Sequence, residues 1–250
     1  MSVLGEDRLR AENERLRAEL AAQRDKSGDE ERQLERYASD LRHVFKEERA
    51  RAEELRDSYV TTVRALTNAV EARDAYTGKH AERVAAYGLL LTRRIDSALA
   101  DDPQTEFGFL LHDVGKVAVP DSVLHKPDDL EDEESEVMRS HVVKGWEIVK
   151  GVPFLEGAAE IVRSHHERWD GAGYPDGLAG EQIPLAARIF AVADALDALT
   201  TDRPYREGVS MAEAREVIAR GSGTQFDPAV VEELRKTPDE ILEHVRDETR

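Results

Sequence analysis

HDVGKVAVPD at residues 112–121 and HHERWDGAGYPDG at 165–177 carry most of the information in this 250-residue chain. Together they gather imidazoles and carboxylates at a density that folding alone rarely requires. A divalent ion that activates water needs neutral imidazoles and ionised carboxylates converging from several elements, with a position left open for the nucleophile. The candidate ligands are His80, His112, Asp113, His141, His165, His166 and Asp194. Two adjacent polar residues cannot both lie on one apolar helix face, so the pairs His112-Asp113 and His165-His166 resist a purely structural reading. His43 and His244, by contrast, read as ordinary structural histidines. Lys116 follows the first pair closely enough to bring its ammonium to an oxygen bound at the same centre.

From Asp74 onward the apolar residues recur at helical spacing, with few of the alternations that mark strands. The pattern predicts an all-α domain with helices near 58–100, 104–113, 133–150, 154–167, 185–201, 210–220, 227–236 and 238–248. Prolines such as Pro103, Pro153, Pro184, Pro228 and Pro238 mark starts or breaks. The Gly- and Pro-rich connection at about 168–184 is long enough to be a functional loop. Its GAGYPDG run supplies permissive backbone and one fixed φ, which suits a sharp turn beside the site.

These two motifs, with ADALDALTTDRPYR at 193–206, resemble the HD-GYP phosphodiesterases, a branch of the HD metal-dependent phosphohydrolases. The resemblance covers roughly residues 70 to 235 and implies an HD-type helical bundle. It implies that His112, Asp113 and Asp194 hold one metal with His80 close by. Asp113 would bridge to a second metal held by His141, His165 and His166, the arrangement of two-metal phosphoester hydrolysis. It gives Asp113 and Lys116 catalytic roles, and Lys116, Arg203 and Arg206 substrate-binding roles, Arg being suited to fork onto phosphate. Iron or manganese is the metal the family favours. Some members carry a Glu four residues before the early histidine; Tyr76 stands there in this chain, which favours two metals over three. The family's Asn-Lys-Pro appears as His125-Lys126-Pro127. Asp74, Thr77 and Asp197 are candidates to orient the imidazoles by hydrogen bonding, with helix capping or solvation as the alternative.

Composition bounds the rest. A 40% hydrophobic fraction is enough for a core of ordinary size. A net charge of −18 argues against wrapping a nucleic-acid polymer or docking on an anionic membrane. A small phosphate ester remains compatible with that charge, because metals and a few placed cations would meet it locally. With no cysteine, disulfides and thiolate ligands are excluded. No apolar run approaches a membrane span and no signal pattern opens the chain, so a cytoplasmic location is expected.

The charge excess is concentrated in residues 1–66, read as a helical, coiled-coil region ahead of a catalytic domain over 67–250. Leu34, Tyr37, Leu41, Val44, Leu55, Tyr59, Val63, Leu66 and Val70 keep near-heptad spacing among Arg and Glu. A helix break is expected between Arg24 and Asp29, around Ser27-Gly28. The seam suggests a homodimer, with a signalling protein as a further partner. The expected function is metal-dependent hydrolysis of cyclic di-GMP to pGpG, or further to GMP. The alternatives are a phosphohydrolase acting on another cyclic dinucleotide such as cyclic GMP-AMP, and a catalytically silent nucleotide-sensing or interaction module.

Overall fold

The structure is a computed structural model that describes residues 3–73, 79–202 and 207–249, with side chains described from residue 11 and excepting 27–31. Among the described residues it contains helices and no strand; an isolated bridge joins Ser222 to Phe226. The expected all-α class is what is observed. The chain divides into two units, Met1–Tyr59 and Val60–Arg250.

Helix α1, Val3–Glu71, runs through the first unit without the break expected near Ser27-Gly28. One glycine costs a helix about 1 kcal/mol, which a long flanking run of helix formers absorbs because propagation is cooperative. In the first unit its charged residues form pairs one turn apart, such as Arg15 with Glu19 and Arg49 with Glu53. Leu16, Leu20, Leu34, Tyr37, Leu41, Val44 and Leu55 are exposed there. Among the described residues no helix is long and apolar enough to cross a membrane.

In the second unit the end of α1 behaves differently. Val63 is fully buried and Thr67 donates its hydroxyl hydrogen bond to the Leu110 carbonyl, so this stretch belongs to the core of the second unit. The heptad reading is corrected at Val63 for that reason. The single helix expected over 58–100 is three: the end of α1, then α2 (His80–Ile95) and α3 (Ser97–Asp101). Asp96 separates the last two by accepting from the backbone N–H groups of Ala98 and Leu99, an N-cap that starts a new helix.

Next come α4 (Pro103–Leu111), α5 (Asp121–Leu124), α6 (Asp132–Arg139), α7 (His141–Val149) and α8 (Glu156–Ser164). The expected helix at 133–150 is therefore divided at Ser140. The chain then forms α9 (Leu185–Thr200), α10 (Met211–Arg220), α11 (Pro228–Lys236) and α12 (Asp239–Glu248). Asp102 caps α4 and Asp227 caps α11, each with proline in the first turn.

Helix α9 is the hub. Its sequence is almost all Ala, Leu, Ile, Val and Phe, and it buries Ala186, Ala187, Ile189, Phe190, Val192, Ala193 and Leu196. A helix apolar on most sides must be surrounded, and α9 packs against α2, α8, α10 and α11. Phe190 meets Phe109 of α4 at 5.6 Å between ring centroids, and the ring of His112 lies 4.7 Å from Phe190 on the same side. The hydrophobic core thus forms the floor of the histidine cluster.

Candidate metal centre

Every clustered histidine sits at a helix end. His80 and His141 are the first residues of α2 and α7, and His112 and His165 follow the last residues of α4 and α8. Asp194 is within α9. The packing of α2, α4, α7, α8 and α9 brings them into two groups of converging donor atoms, His80, His112 and Asp113, and His141, His165 and His166. Asp113 lies between the groups. One carboxylate oxygen is 3.1 Å from His112 Nε2, and the other is 3.3 Å from His141 Nε2. Asp194 Oδ1 approaches His80 Nε2 at 3.4 Å, and Lys116 Nζ is 2.9 Å from Asp113.

The tautomers follow from the backbone. The Nδ1–H groups of His112, His141 and His165 donate to the carbonyls of Phe109, Met138 and Val162, at 2.9, 2.7 and 2.7 Å. A neutral imidazole with Nδ1 protonated presents a bare lone pair at Nε2. The Nε2 atoms of His141 and His165 face one another at 3.4 Å, an arrangement of two lone pairs that a cation between them would stabilise. Burial, followed by the charges of the neighbouring imidazoles, holds the His165 pKa well below its ordinary value. Burial first and His141 second push His166 down to about 3. His141 is lowered too, chiefly by burial. For Asp113 burial works upward, but the charges of His112 and Lys116 overcome it and hold the carboxyl well below the usual range. The neutral imidazoles of His141, His165 and His166 beside the ionised Asp113 carboxylate are the kind of donor set a divalent ion requires, so these residues fit such a group.

His80 is held otherwise. Its Nδ1 lies 2.7 Å from Asp197, which is almost fully buried and also accepts from Arg83 through Nε at 2.6 Å and through the guanidinium end at 3.1 Å. Burial opposes the charged form of His80, yet the Asp197 hydrogen bond and the nearby Asp194 raise its pKa. Asp197 therefore orients His80, as its place three residues after Asp194 allowed. Asp74, Tyr76, Thr77, Arg203 and Arg206 lie outside the described residues.

Sequence reasoning missed several supports. Arg83 lies one helical turn from His80, a spacing that could have revealed it. Glu71 accepts the Ala81 N–H at 2.7 Å and so caps the start of α2 beneath His80. Arg73 ties the loop after the HD pair, donating to the carbonyls of Lys116, Val117 and Val119 and to Asp121. His125, in place of the motif asparagine, contacts the Arg73 carbonyl through Nε2 at 2.5 Å. Buried Glu167 accepts backbone hydrogen bonds from Asp176, Gly177 and Leu178 and so fixes the Gly- and Pro-rich loop. Gly173 packs there against backbone; a Cβ would come within 2.4 Å of the Arg168 nitrogen. The result is that Tyr174 stacks on His166 at 4.9 Å with an interplanar angle of 30°.

Beside the centre runs a cleft of about 660 Å³, lined by His165, His166, Tyr174, Asp194, Arg220 and Gln225 among others. The small side chains Ala191, Ala195 and Ala198 leave it open along α9.

An all-helical fold that gathers an HD pair at the end of one helix with histidines at the ends of its neighbours sets two groups of donors that could hold metal ions. The chain matches the HD domain family over residues 64–230 and belongs to that family. It is 41% identical over 191 residues to the 3′3′-cGAMP-specific phosphodiesterase 2 of Vibrio cholerae, covering 76% of this chain and 37% of that protein. It is 42% identical over 175 residues to the cyclic di-GMP phosphodiesterase response regulator RpfG of Xanthomonas campestris, covering 69% of this chain and 46% of that one. The chain thus spans less than half the length of these two relatives. Its fold is shared with the crystal structure of the cyclic GMP-AMP phosphodiesterase V-cGAP3 of V. cholerae, at a TM-score of 0.54 and 20% identity over 74% of this chain and 53% of that one.

Proposed function

We propose that residues 67–250 form a metal-dependent phosphodiesterase that hydrolyses cyclic di-GMP to pGpG, or further to GMP. The observation that carries this reading is the carboxylate of Asp113 set between two groups of donors, with Lys116 Nζ 2.9 Å away and an open cleft alongside. The relative from X. campestris, named a cyclic di-GMP phosphodiesterase, supports the substrate. In this reading His112, Asp113 and Asp194, with His80 nearby, hold one divalent ion, and Asp113, His141, His165 and His166 hold the other. Two ions, iron or manganese, supply Lewis acidity toward the phosphoryl oxygens and lower the pKa of water when bound. Lys116 offers its ammonium to charge developing on the phosphoryl group. Arg203 and Arg206, at the end of the ADALDALTTDRPYR segment, grip the substrate phosphates.

The test is anaerobic incubation of the purified chain with Fe(II) or Mn(II) and cyclic di-GMP, products being separated by chromatography, with Asp113→Ala in parallel. Product from the intact chain alone supports the reading, and full turnover by Asp113→Ala with metal loaded refutes it. The identity to the V. cholerae relative named for 3′3′-cGAMP favours a second reading, cyclic GMP-AMP as substrate. Competition between the two dinucleotides separates them.

The exposed stripe Leu34, Tyr37, Leu41, Val44 and Leu55 supports a parallel proposal, a homodimer through a coiled coil within residues 1–66. A single compact monomeric species at all concentrations in a sedimentation experiment would refute it.

A further inference from the structure

A cyclic dinucleotide carries two phosphodiesters, and hydrolysis engages only one of them at the histidine centre. In a chain of net charge −18 the other must be met by a placed cation. Most cations around the centre are already committed: Lys116 to Asp113, Arg83 to Asp197, and Arg168 to Asp170 at 3.1 and 2.7 Å. Arg139 differs. It is the last residue of α6, exposed, and has no carboxylate within ion-pair distance among the described residues. Its guanidinium carbon lies 5.3 Å from the centroid of the Tyr174 ring. Tyr174 in turn stacks on His166, a member of the second donor group, so Arg139 stands two ring contacts from the centre.

We propose that Arg139 binds the phosphate that is not cleaved, an inference that rests on the cyclic dinucleotide reading above. The aromatic face holds one side of the planar guanidinium and leaves its N–H edge free to fork onto phosphate oxygens. A substrate with one phosphate beside His166 extends across the Tyr174 ring and brings its second phosphate within reach of that edge. Tyr174 is fixed for this purpose by its own N–H, which donates to the His166 carbonyl at 3.3 Å, and by the hold of Glu167 on the loop beyond it. This gives the loop tyrosine a use that requires no proton transfer: it carries a binding cation. The competing role for an arginine at this position is compensation of the α6 dipole, which would leave kinetics untouched.

The experiment compares Arg139→Ala and Arg139→Lys with the wild type in the metal-loaded full chain. Substrates are cyclic di-GMP, cyclic GMP-AMP and bis(4-nitrophenyl) phosphate, which has a single phosphodiester. Arg139→Ala is expected to lose roughly 10- to 100-fold in kcat/KM on the cyclic dinucleotide, mostly through KM, since charge-assisted hydrogen bonds to an anion are lost. On the simple diester it is expected to match the wild type, and Arg139→Lys is expected to fall between. Equal losses on both kinds of substrate, or no loss on either, overturn the assignment of Arg139 alone. Wild-type turnover of the simple diester without turnover of either cyclic dinucleotide overturns the substrate reading, and the role of Arg139 with it.

Discussion

Adding one methyl group at Gly115 tests whether the centre depends on a backbone contact. Gly115 lies in the short 3-10 turn Val114–Ala118 that follows the HD pair, pressed against the first turn of α7. A Cβ there would sit 1.9 Å from the His141 carbonyl oxygen and 2.5 Å from the Gly145 nitrogen, where real contacts keep at least 3.0 Å. Both obstacles are backbone, so no rotamer relieves them, and α7 must retreat by about an ångström. Overpacking of this kind costs ~1–3 kcal/mol, corresponding to a fall in Tm of roughly 2–12 °C for a domain of this size. The same retreat carries His141 away from Asp113, from which it is separated by 3.3 Å. Metal sites tolerate only about 0.2 Å of error in ligand distance, so metal retention should fall together with Tm. Gly151→Ala is the matched comparison, since its Cβ would meet nothing within 4 Å. It should be neutral or stabilising by up to ~1 kcal/mol through the unfolded chain. The assay is thermal unfolding with metal analysis after dialysis. A Gly115→Ala protein with wild-type Tm and metal content would refute the reasoning.

Four further outcomes are expected. Asp197→Asn removes the carboxylate charge that meets buried Arg83, costing up to ~3–5 kcal/mol, and releases His80, lowering metal affinity roughly 10- to 100-fold; denaturant titration and metal titration read the two effects separately. In the metal-free protein His141, His165 and His166 have pKa values below the usual ~6.5, so the unfolded chain binds more protons as pH falls below that value. Stability should therefore fall from about pH 6.5 downward by up to ~1.4 kcal/mol per pH unit for each such histidine. His80, raised in the folded state, works in the opposite sense, contributing stability at low pH that is lost as pH rises through its folded pKa; urea unfolding in chelator at pH 5 and 7 gives the net sign, and equal stabilities would contradict it. Glu167→Ala removes the acceptor of three loop N–H groups and should speed hydrogen exchange at Asp176, Gly177 and Leu178 while α9 stays protected. Metal at a hundredfold excess over Kd should stabilise the protein by ~2.7 kcal/mol, seen as a rise in Tm that chelator reverses.

The members of the centre were legible because their chemistry is dense in two short segments, and because His80, His141 and Asp194 completed a ligand count. Their supports were less legible. Arg83 and Glu167 look like ordinary charged surface residues until the fold buries them against Asp197 and the loop backbone. Helix limits were harder still. Gly88 falls within the expected 58–100 helix and lies well inside α2. Phe109 occupies the space its Cβ would need, at 2.6 Å, so that glycine serves helix packing and breaks nothing. Apolar periodicity reports which face is covered; it does not report which neighbour covers it. The same limit explains Val63, whose heptad position is satisfied by the core of the second unit.

The centre combines local and distant order in a definite way. His112, His141 and His165 each take their orientation from a carbonyl three residues earlier, so a single helical turn sets both the tautomer and the direction of Nε2. Such side chains need only be brought together, and the packing of α4, α7 and α8 does that. His80 takes its orientation from Asp197 on another helix, and Asp197 is itself fixed by Arg83 from the helix of His80. The pairing of α2 with α9 and the alignment of His80 are therefore one interaction. A substitution that loosens α2 against α9 disturbs the first donor group, while the histidines of the second keep the orientation their own helices give them.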